Sequence, residues 1–401
     1  MVSDKERKFQ MALINRDSSI WTRNFSLLFL SHMLSSAGVY MVNTLLPLYS
    51  RSMGATDTII GFVSSAFYLV ALASRPVSGP AIDAFDKKVL FIILTFGNAL
   101  CMFGYSTAAS LGWIIFFRMM HGITYGSQAA LCLAMASGSL PKEKLSSGVA
   151  TYALSNVLPQ ALAPGLGLSL SEKYGYRTVY MISAIIIAAA AAMGFLMDYS
   201  DHERKPFRIN LHSVFAVEAA VPVLILFLMG VAASASSSFM VLHVNDRGVE
   251  GLKYYYTISA ICLVLFRPLT GTLSDKYGIK KVIIPCFLIW IVFFLNLSTV
   301  DSTWRLWLGA VLSAAGFSSA HTLLQALTMR VTPSSRRGAA SSSCYIGYDG
   351  GTFLGGIITG KIADMIGYSK LFLVSIVPVV LCILIMIIWT SRNGGIKYPE
   401  D

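Results

Sequence analysis

The sequence predicts an all-α polytopic membrane protein of twelve transmembrane helices arranged as two pseudo-symmetric six-helix bundles. Three observations carry that prediction. Of 401 residues, 55% are apolar and only 13% charged, with a mean hydropathy of +0.66; a soluble surface needs roughly twice that charge. The apolar residues fall in blocks of roughly 20, the length that crosses a bilayer core. A set of residues also recurs at one fixed spacing, so the two halves of the chain repeat.

Taken in order, a mixed-charge segment over 1–24 reads as a cytosolic tail, without the small-residue cleavage site of a signal peptide. Apolar blocks then place helices near 25–49, 58–81, 89–108, 112–135, 147–169 and 177–197. The longest hydrophilic connector, 198–215, carries His202, Glu203, Arg204, Lys205, Pro206 and Arg208 and separates the halves. Six further blocks follow near 216–242, 253–273, 282–299, 304–329, 339–360 and 370–390, before a short tail over 391–401. The domain organisation is therefore a bundle over 25–197 and a bundle over 216–390. Trp21, Trp113, Tyr254 to Tyr256, Trp304 and Trp307 gather at helix ends, as aromatic residues do at a membrane–water interface.

The formal charge of +11 does not indicate nucleic acid, because the basic residues lie in short clusters between apolar blocks and form no continuous stripe. Of the 31 Lys and Arg, 19 fall on the side of the chain termini and 8 on the other, with Arg75, Arg118, Arg267 and Arg330 within or at the edges of spans. The positive-inside rule therefore predicts that both termini are cytosolic. All six cysteines lie inside predicted spans without metal-ligand spacing. No metal or cofactor is expected. No Gly-rich phosphate loop, HExxH or nucleophile elbow is present, so neither ATP-driven pumping nor hydrolysis is supported, and an enzyme is not expected.

Arg75, Pro76, Gly79 and Asp83 recur 192 residues later as Arg267, Pro268, Gly271 and Asp275. The same spacing carries Pro141 to Pro333, Glu172 to Asp364, Gly175 to Gly367 and Tyr176 to Tyr368. Parallel six-helix repeats are an architecture of transporters that rock about a midplane site. Within the second repeat, Gly271-Thr-Leu-Ser-Asp275-Lys276-Tyr277-Gly278-Ile-Lys280-Lys281 resembles the loop signature of the major facilitator superfamily. The first copy, Gly79-Pro-Ala-Ile-Asp83-Ala-Phe-Asp86-Lys87-Lys88, is one residue shorter and has Asp86 where the second Gly falls. Arg118-Met-Met-His121-Gly122 is similar to the family's Arg-x-x-x-Gly motif, associated with proton coupling in efflux antiporters, and Ala163-Pro164-Gly165-Leu166-Gly167 is a loose form of its antiporter motif. The resemblance covers the whole chain. It implies a secondary transporter, with Arg75, Asp83, Arg267 and Asp275 as gating residues on the cytosolic side.

Ionisable groups inside a bilayer are costly and therefore mark function. Asp349 lies about 16 Å along the eleventh span, sharing a face with Tyr345 and Thr352. A carboxylate there suits a group that takes up and releases a proton. Glu218, shallower, is the second proton-coupling candidate. Arg118, about 9 Å into the fourth span, heads a polar stripe with His121, Tyr125 and Gln128. It is expected either to contact substrate or to hold Asp349 ionised. Further stripes are His32, Ser36 and Asn43; Tyr152, Asn156 and Gln160; and Ser318, His321 and Gln325. Each stripe alone reads as interhelical glue, but together with Tyr345 they predict one shared aqueous pocket. The sequence reading is thus proton-coupled efflux of a small organic molecule from the bacterial inner membrane. The expected partners are substrate, protons and lipid, and the protein is expected to be a monomer. An uptake permease for a sugar or organic acid is the alternative.

Overall fold

The computed structural model describes residues 20–140, 144–199, 207, 215–333 and 336–392, with the side chains at 83, 145, 146, 150, 337, 338 and 392 also outside the description. The central connector and both tails, where several of the basic clusters fall, thus lie mostly outside it.

The first bundle contains α1 (Arg23–Ser52), α2 (Asp57–Ala84), α3 (Lys87–Ser106), α4 (Leu111–Gly138), α5 (Leu145–Tyr174) and α6 (Tyr176–Met193). The second contains α7 (Ala220–Asp246), α8 (Leu252–Tyr277) and α9 (Ile279–Ser298). In α10, Thr303–Ser313, a π-helical turn Ala314–Ser318, and Ser319–Arg330 run end to end. α11 (Arg337–Val374) bends at Gly367, whose φ of +74° ends the eleventh crossing and begins the twelfth, completed by α12 (Ile376–Arg392). No strand is present among the described residues.

Local chemistry sets these boundaries. Thr22, Thr56, Asp86 and Ser110 each accept a hydrogen bond from the backbone amide three residues on, capping the first four helices. Gly278 starts α9 from a positive φ of +86°. At the matching place in the first repeat, Asp86 has an extended backbone and caps α3 through its side chain. The departure from the loop signature at Asp86 is therefore a different way of starting the same helix.

Eight helical segments among the described residues are long and apolar enough to cross a membrane, and one of these, Ala339–Ser391, includes two crossings. α4 and α5 fall outside that set because of their polar stripes, and α10 because its π turn divides it. On α3, Ile93, Phe96 and Leu100 are each more than half exposed while Phe91, Asn98, Met102 and Tyr105 on the other face are buried. That outward apolar stripe is the surface lipid would cover. Each bundle has its own core: Val39, Leu45, Met102, Tyr105 and Val179 in the first, Phe239, Phe287, Trp290, Phe294 and Phe372 in the second.

The bundles meet mainly where α2 packs along α11 and α5 along α8. Asn24, at the start of α1, bonds the Asp198 carbonyl just beyond α6, which fixes the end of the molecule carrying the first described residues; we call it the terminal end. At the opposite end the halves touch through bare backbone. A Cβ added to Gly61 would sit 2.1 Å from the Gly356 carbonyl oxygen, and one on Gly165 would sit 2.7 Å from that of Lys253. Toward the terminal end, by contrast, a Cβ on Gly79 or Gly271 would meet nothing within 4 Å. The interface is sealed at the far end and open at the terminal end.

Candidate functional site

The seal is built from charge as well as from glycine. The Asp364 carboxylate accepts from the backbone amides of Asp57 and Thr58, each at 2.9 Å, and from the Thr58 hydroxyl. It therefore caps the exposed N-terminus of α2 from the other bundle, where the helix dipole favours an anion. Tyr368 donates to Asp57 Oδ1 at 2.6 Å, and Arg51 Nη1 reaches both oxygens of Asp246 at 2.7 and 2.9 Å. A cleft of about 700 Å³ at this end is lined by Glu172, Glu250, Lys253 and Trp307 among others, and by none of the sequence-predicted site residues.

Deeper in the same α2–α11 interface, Arg75 Nη2 donates to Asp349 Oδ2 at 3.0 Å. The Asp349 side chain is 8% exposed and that of Arg75 23%, and the guanidinium lies 3.8 Å from the centre of the Tyr345 ring. Thr352, expected to serve Asp349, instead donates to the Tyr348 carbonyl. This geometry corrects two expectations. Arg75 joins the Asp349 site, at the bundle interface, instead of standing in a loop set with Asp83. Asp349 also has its cation in Arg75, so Arg118 is not the group that holds it. The reason is packing: α2 and α11 run side by side through the interface, and their glycines bring the two side chains into reach.

Arg118 is buried and committed elsewhere. It donates to Asn43 Oδ1 at 2.7 Å, to the Val63 carbonyl at 3.3 Å and to the Ser64 carbonyl at 3.1 Å, with Phe67 under its guanidinium at 4.9 Å. Gln128 is also internal, accepting from Ser35 and Asn98 and donating to Thr95. His121 packs among Phe67, Tyr105 and Tyr125, and His32 bonds Ser155 at 2.7 Å beside Tyr152. Arg118, Asn43, His121, Gln128 and His32 thus form the polar interior of the first bundle rather than one stripe facing the second.

The residues that do converge between the bundles are partly exposed. Asn156 accepts from the Tyr40 hydroxyl at 2.9 Å and donates to Ser36 and Tyr125, and Gln160 lies one turn beyond. From the second bundle, His321 packs edge-on against Tyr348 at 4.7 Å, with Gln325 one turn further along α10. The wide turn Ala314–Ser318 holds one extra residue, which rotates everything after it by about 100°. Tyr40 is within electrostatic reach of Tyr68, Tyr125 and Arg267, and Tyr68 of Tyr348 and Asp349. Around these tyrosines stand Asn156, His321 and Arg267, and we call this central part of the interface, on the terminal side of the seal, the chamber. Tyr40, Tyr68 and Tyr348 escaped the sequence reading, although Tyr40 continues the Ser36–Asn43 stripe and Tyr68 precedes Arg75 by two turns.

Residues predicted to act at the terminal end form surface pairs. Asp275 bonds Arg330 at 2.6 Å with both side chains about half exposed or more, and Arg267 is not its partner. Glu218 pairs with Arg336, which also donates to the Phe215 carbonyl. Glu218 thus anchors the start of the seventh crossing at the surface, well away from Asp349. The Asp83 side chain lies outside the described residues.

Residues 28–266 and 223–396 match the family described as Major Facilitator Superfamily. The chain belongs to the major facilitator superfamily. It is similar to the multidrug resistance protein MdtG of Enterobacter lignolyticus, 22% identical over 95% of each chain. It is also similar to the staphylopine export protein of Staphylococcus aureus, 26% identical over 83% of this chain and 88% of that one. Among solved structures, the nucleoside transporter NupG superposes with a TM-score of 0.78 at 15% identity, covering 92% of this chain and 99% of that one. This superfamily member is an integral membrane transporter and not an enzyme. Among the described residues no group of three His, Cys, Asp or Glu is placed to hold a metal ion.

Proposed function

We propose that this superfamily member is a proton-coupled exporter of small organic molecules, with Asp349 as its proton carrier. The observation that carries the reading is the Arg75–Asp349 pair, a carboxylate buried between the two bundles and bound to a cation of the opposite half. Protonation removes the charge of Asp349 and with it the ionic part of the bond that ties α2 to α11. Arg75 then keeps the face of the Tyr345 ring. A proton thereby acts on the contact that must rearrange when the bundles rock.

The excess of Lys and Arg at the terminal end supports a cytosolic location for both termini, in the plasma membrane of a bacterium. In that orientation the far-end seal faces outward and the chamber faces the cytosol, ready to load a molecule for export. Relatives named for multidrug resistance and staphylopine export support the outward direction. Asn156, Gln160, Tyr125, His321, Gln325 and Tyr345 serve as substrate contacts, and Asp275 and Asp83 act on the cytosolic gate. Arg118 with Asn43, His121, Gln128 and His32 keeps the first bundle rigid. The protein works as a monomer.

Everted membrane vesicles test the reading. With their interiors acidified, an exporter exchanging protons accumulates its substrate inside, and collapse of the pH gradient by nigericin releases it. Accumulation in right-side-out vesicles under an inward proton gradient would instead identify an uptake permease.

A further inference from the structure

We infer that Arg267, the second-half counterpart of Arg75, binds an anionic group of the transported molecule, a carboxylate or another oxyanion. The inference rests on the chamber being the substrate path and adds the chemical class of substrate to that reading.

The spacing of 192 residues that carries Arg75 to Arg267 also carries Val157 to Asp349. Two halves thus supply two equivalent arginines, but only one of them has an acid at the matching place on the partner helix. Arg75 meets Asp349. Arg267 is offered Val157, and its neighbour Asn156 is already engaged with Tyr40.

The structure agrees with the sequence on this asymmetry. Arg51, Arg75, Arg305, Arg330 and Arg336 each pair with a carboxylate, and Arg118 is bound by three oxygens. Among the described residues Arg267 makes no ion pair and no side-chain hydrogen bond to a protein group. Its position is nevertheless internal. It follows Tyr256, Ala260 and Leu263 and precedes Thr270 and Ser274 at helical spacing, and Ala260, Leu263, Thr270 and Ser274 are buried. Lipid-facing residues of α8, including Ile261, Leu265 and Leu269, lie on the other side. Counting along the helix, Arg267 lies about 22 Å from the far-end start of α8 and about 15 Å from its other end.

Arg267 is therefore a cation well inside the membrane, exposed to the chamber, with neutral neighbours. The groups within its electrostatic reach are the Tyr40 hydroxyl and the His321 ring. The space one turn on, at Gly271, is open. An unpaired charge there is costly, and an anion entering the chamber relieves the cost. A guanidinium offers a planar fork to an oxyanion, and the chamber tyrosines provide faces for an attached ring.

The test uses two xanthene dyes of similar skeleton and opposite charge, fluorescein and rhodamine 6G. Their binding to purified full-length protein at pH 8 is followed by fluorescence anisotropy. The parent is expected to bind fluorescein. Arg267→Gln should weaken that binding by about tenfold or more, with Arg267→Lys intermediate, while rhodamine 6G changes by less than about threefold. The lysine variant preserves the charge and so guards against a folding defect in the glutamine variant. Equal losses for both dyes would mark Arg267 as a gate or scaffold residue and overturn the inference. Fluorescein bound equally by parent and Arg267→Gln, or not bound by the parent, would overturn it too. Failure of the export reading looks different: fluorescein binding that depends on Arg267, but accumulation in right-side-out instead of everted vesicles.

Discussion

Replacing Asp349 by Asn keeps the shape of the site and removes its ability to carry a proton. In the parent, Arg75 and Asp349 meet at 3.0 Å with 8% of the acid's side chain exposed. A charge-assisted hydrogen bond of this kind contributes about 1.5–3 kcal/mol net. Partial exposure of Arg75 puts this pair toward the lower end of that range. That is about a tenfold or greater bias on whatever rearrangement breaks it. The stacked Tyr345 ring, worth about 0.5–1 kcal/mol at such a site, keeps the Arg75 side chain in place when the acid is gone. The variant should therefore insert, fold and still exchange labelled for unlabelled substrate across a liposome membrane. What it loses is the drive. One proton exchanged per substrate makes a gradient of one pH unit worth about 1.4 kcal/mol, or about tenfold accumulation. Proteoliposomes containing the parent should reach that ratio, and Asp349→Asn should stay near unity. Tenfold accumulation by the variant, at normal expression, would refute Asp349 as the proton carrier.

Three further perturbations separate scaffold from gate. Arg118→Ala strands Asn43 and two carbonyls in the first bundle, so the purified protein should lose about 3 kcal/mol or more, read as a large fall in melting temperature; substrate affinity of the remaining folded fraction should stay within a few-fold. Asp364→Ala uncaps α2 across the seal and should shift the balance toward the far-end-open state by about 5- to 30-fold, a change of about 1–2 kcal/mol. Rapid thiol labelling of a cysteine placed at Ala55, buried at the same end, would report it when compared with and without the Asp364 change, and unchanged labelling would count against the seal. Asp275→Asn breaks an exposed pair with Arg330, so stability should change by less than about 1 kcal/mol while transport slows; a collapse of substrate affinity would contradict a gating role.

The parts of this molecule legible in sequence are those set by local pattern. Apolar blocks gave the twelve crossings, and the repeat gave the equivalence of Arg75 with Arg267 and of Glu172 with Asp364. Partners were harder. Arg75 and Asp349 stand 274 residues apart, and their meeting depends on how closely glycines let α2 approach α11. The face reached by Arg118 likewise depends on its neighbours: Asn43 and the carbonyls of α2 capture a guanidinium that helical spacing alone leaves free. The π turn in α10 was not legible in the sequence, although His321 and Gln325, which follow it on a regular helix, keep their spacing. Asp364 was visible as a repeated acid, yet its role at the start of a helix in the other bundle is written only in three dimensions.

The central claim is exchange of substrate for protons, and the most direct measurement of it is proton movement by the parent protein itself. Liposomes containing purified protein and the pH-sensitive dye pyranine are prepared with no initial pH gradient and with valinomycin and potassium clamping the voltage. A substrate already shown to accumulate in everted vesicles is then added outside. The account predicts prompt acidification of the external medium and alkalinisation of the lumen, in fixed proportion to the substrate that enters, and none of either with Asp349→Asn. Substrate entry at the same rate with no change in the pyranine signal would contradict it.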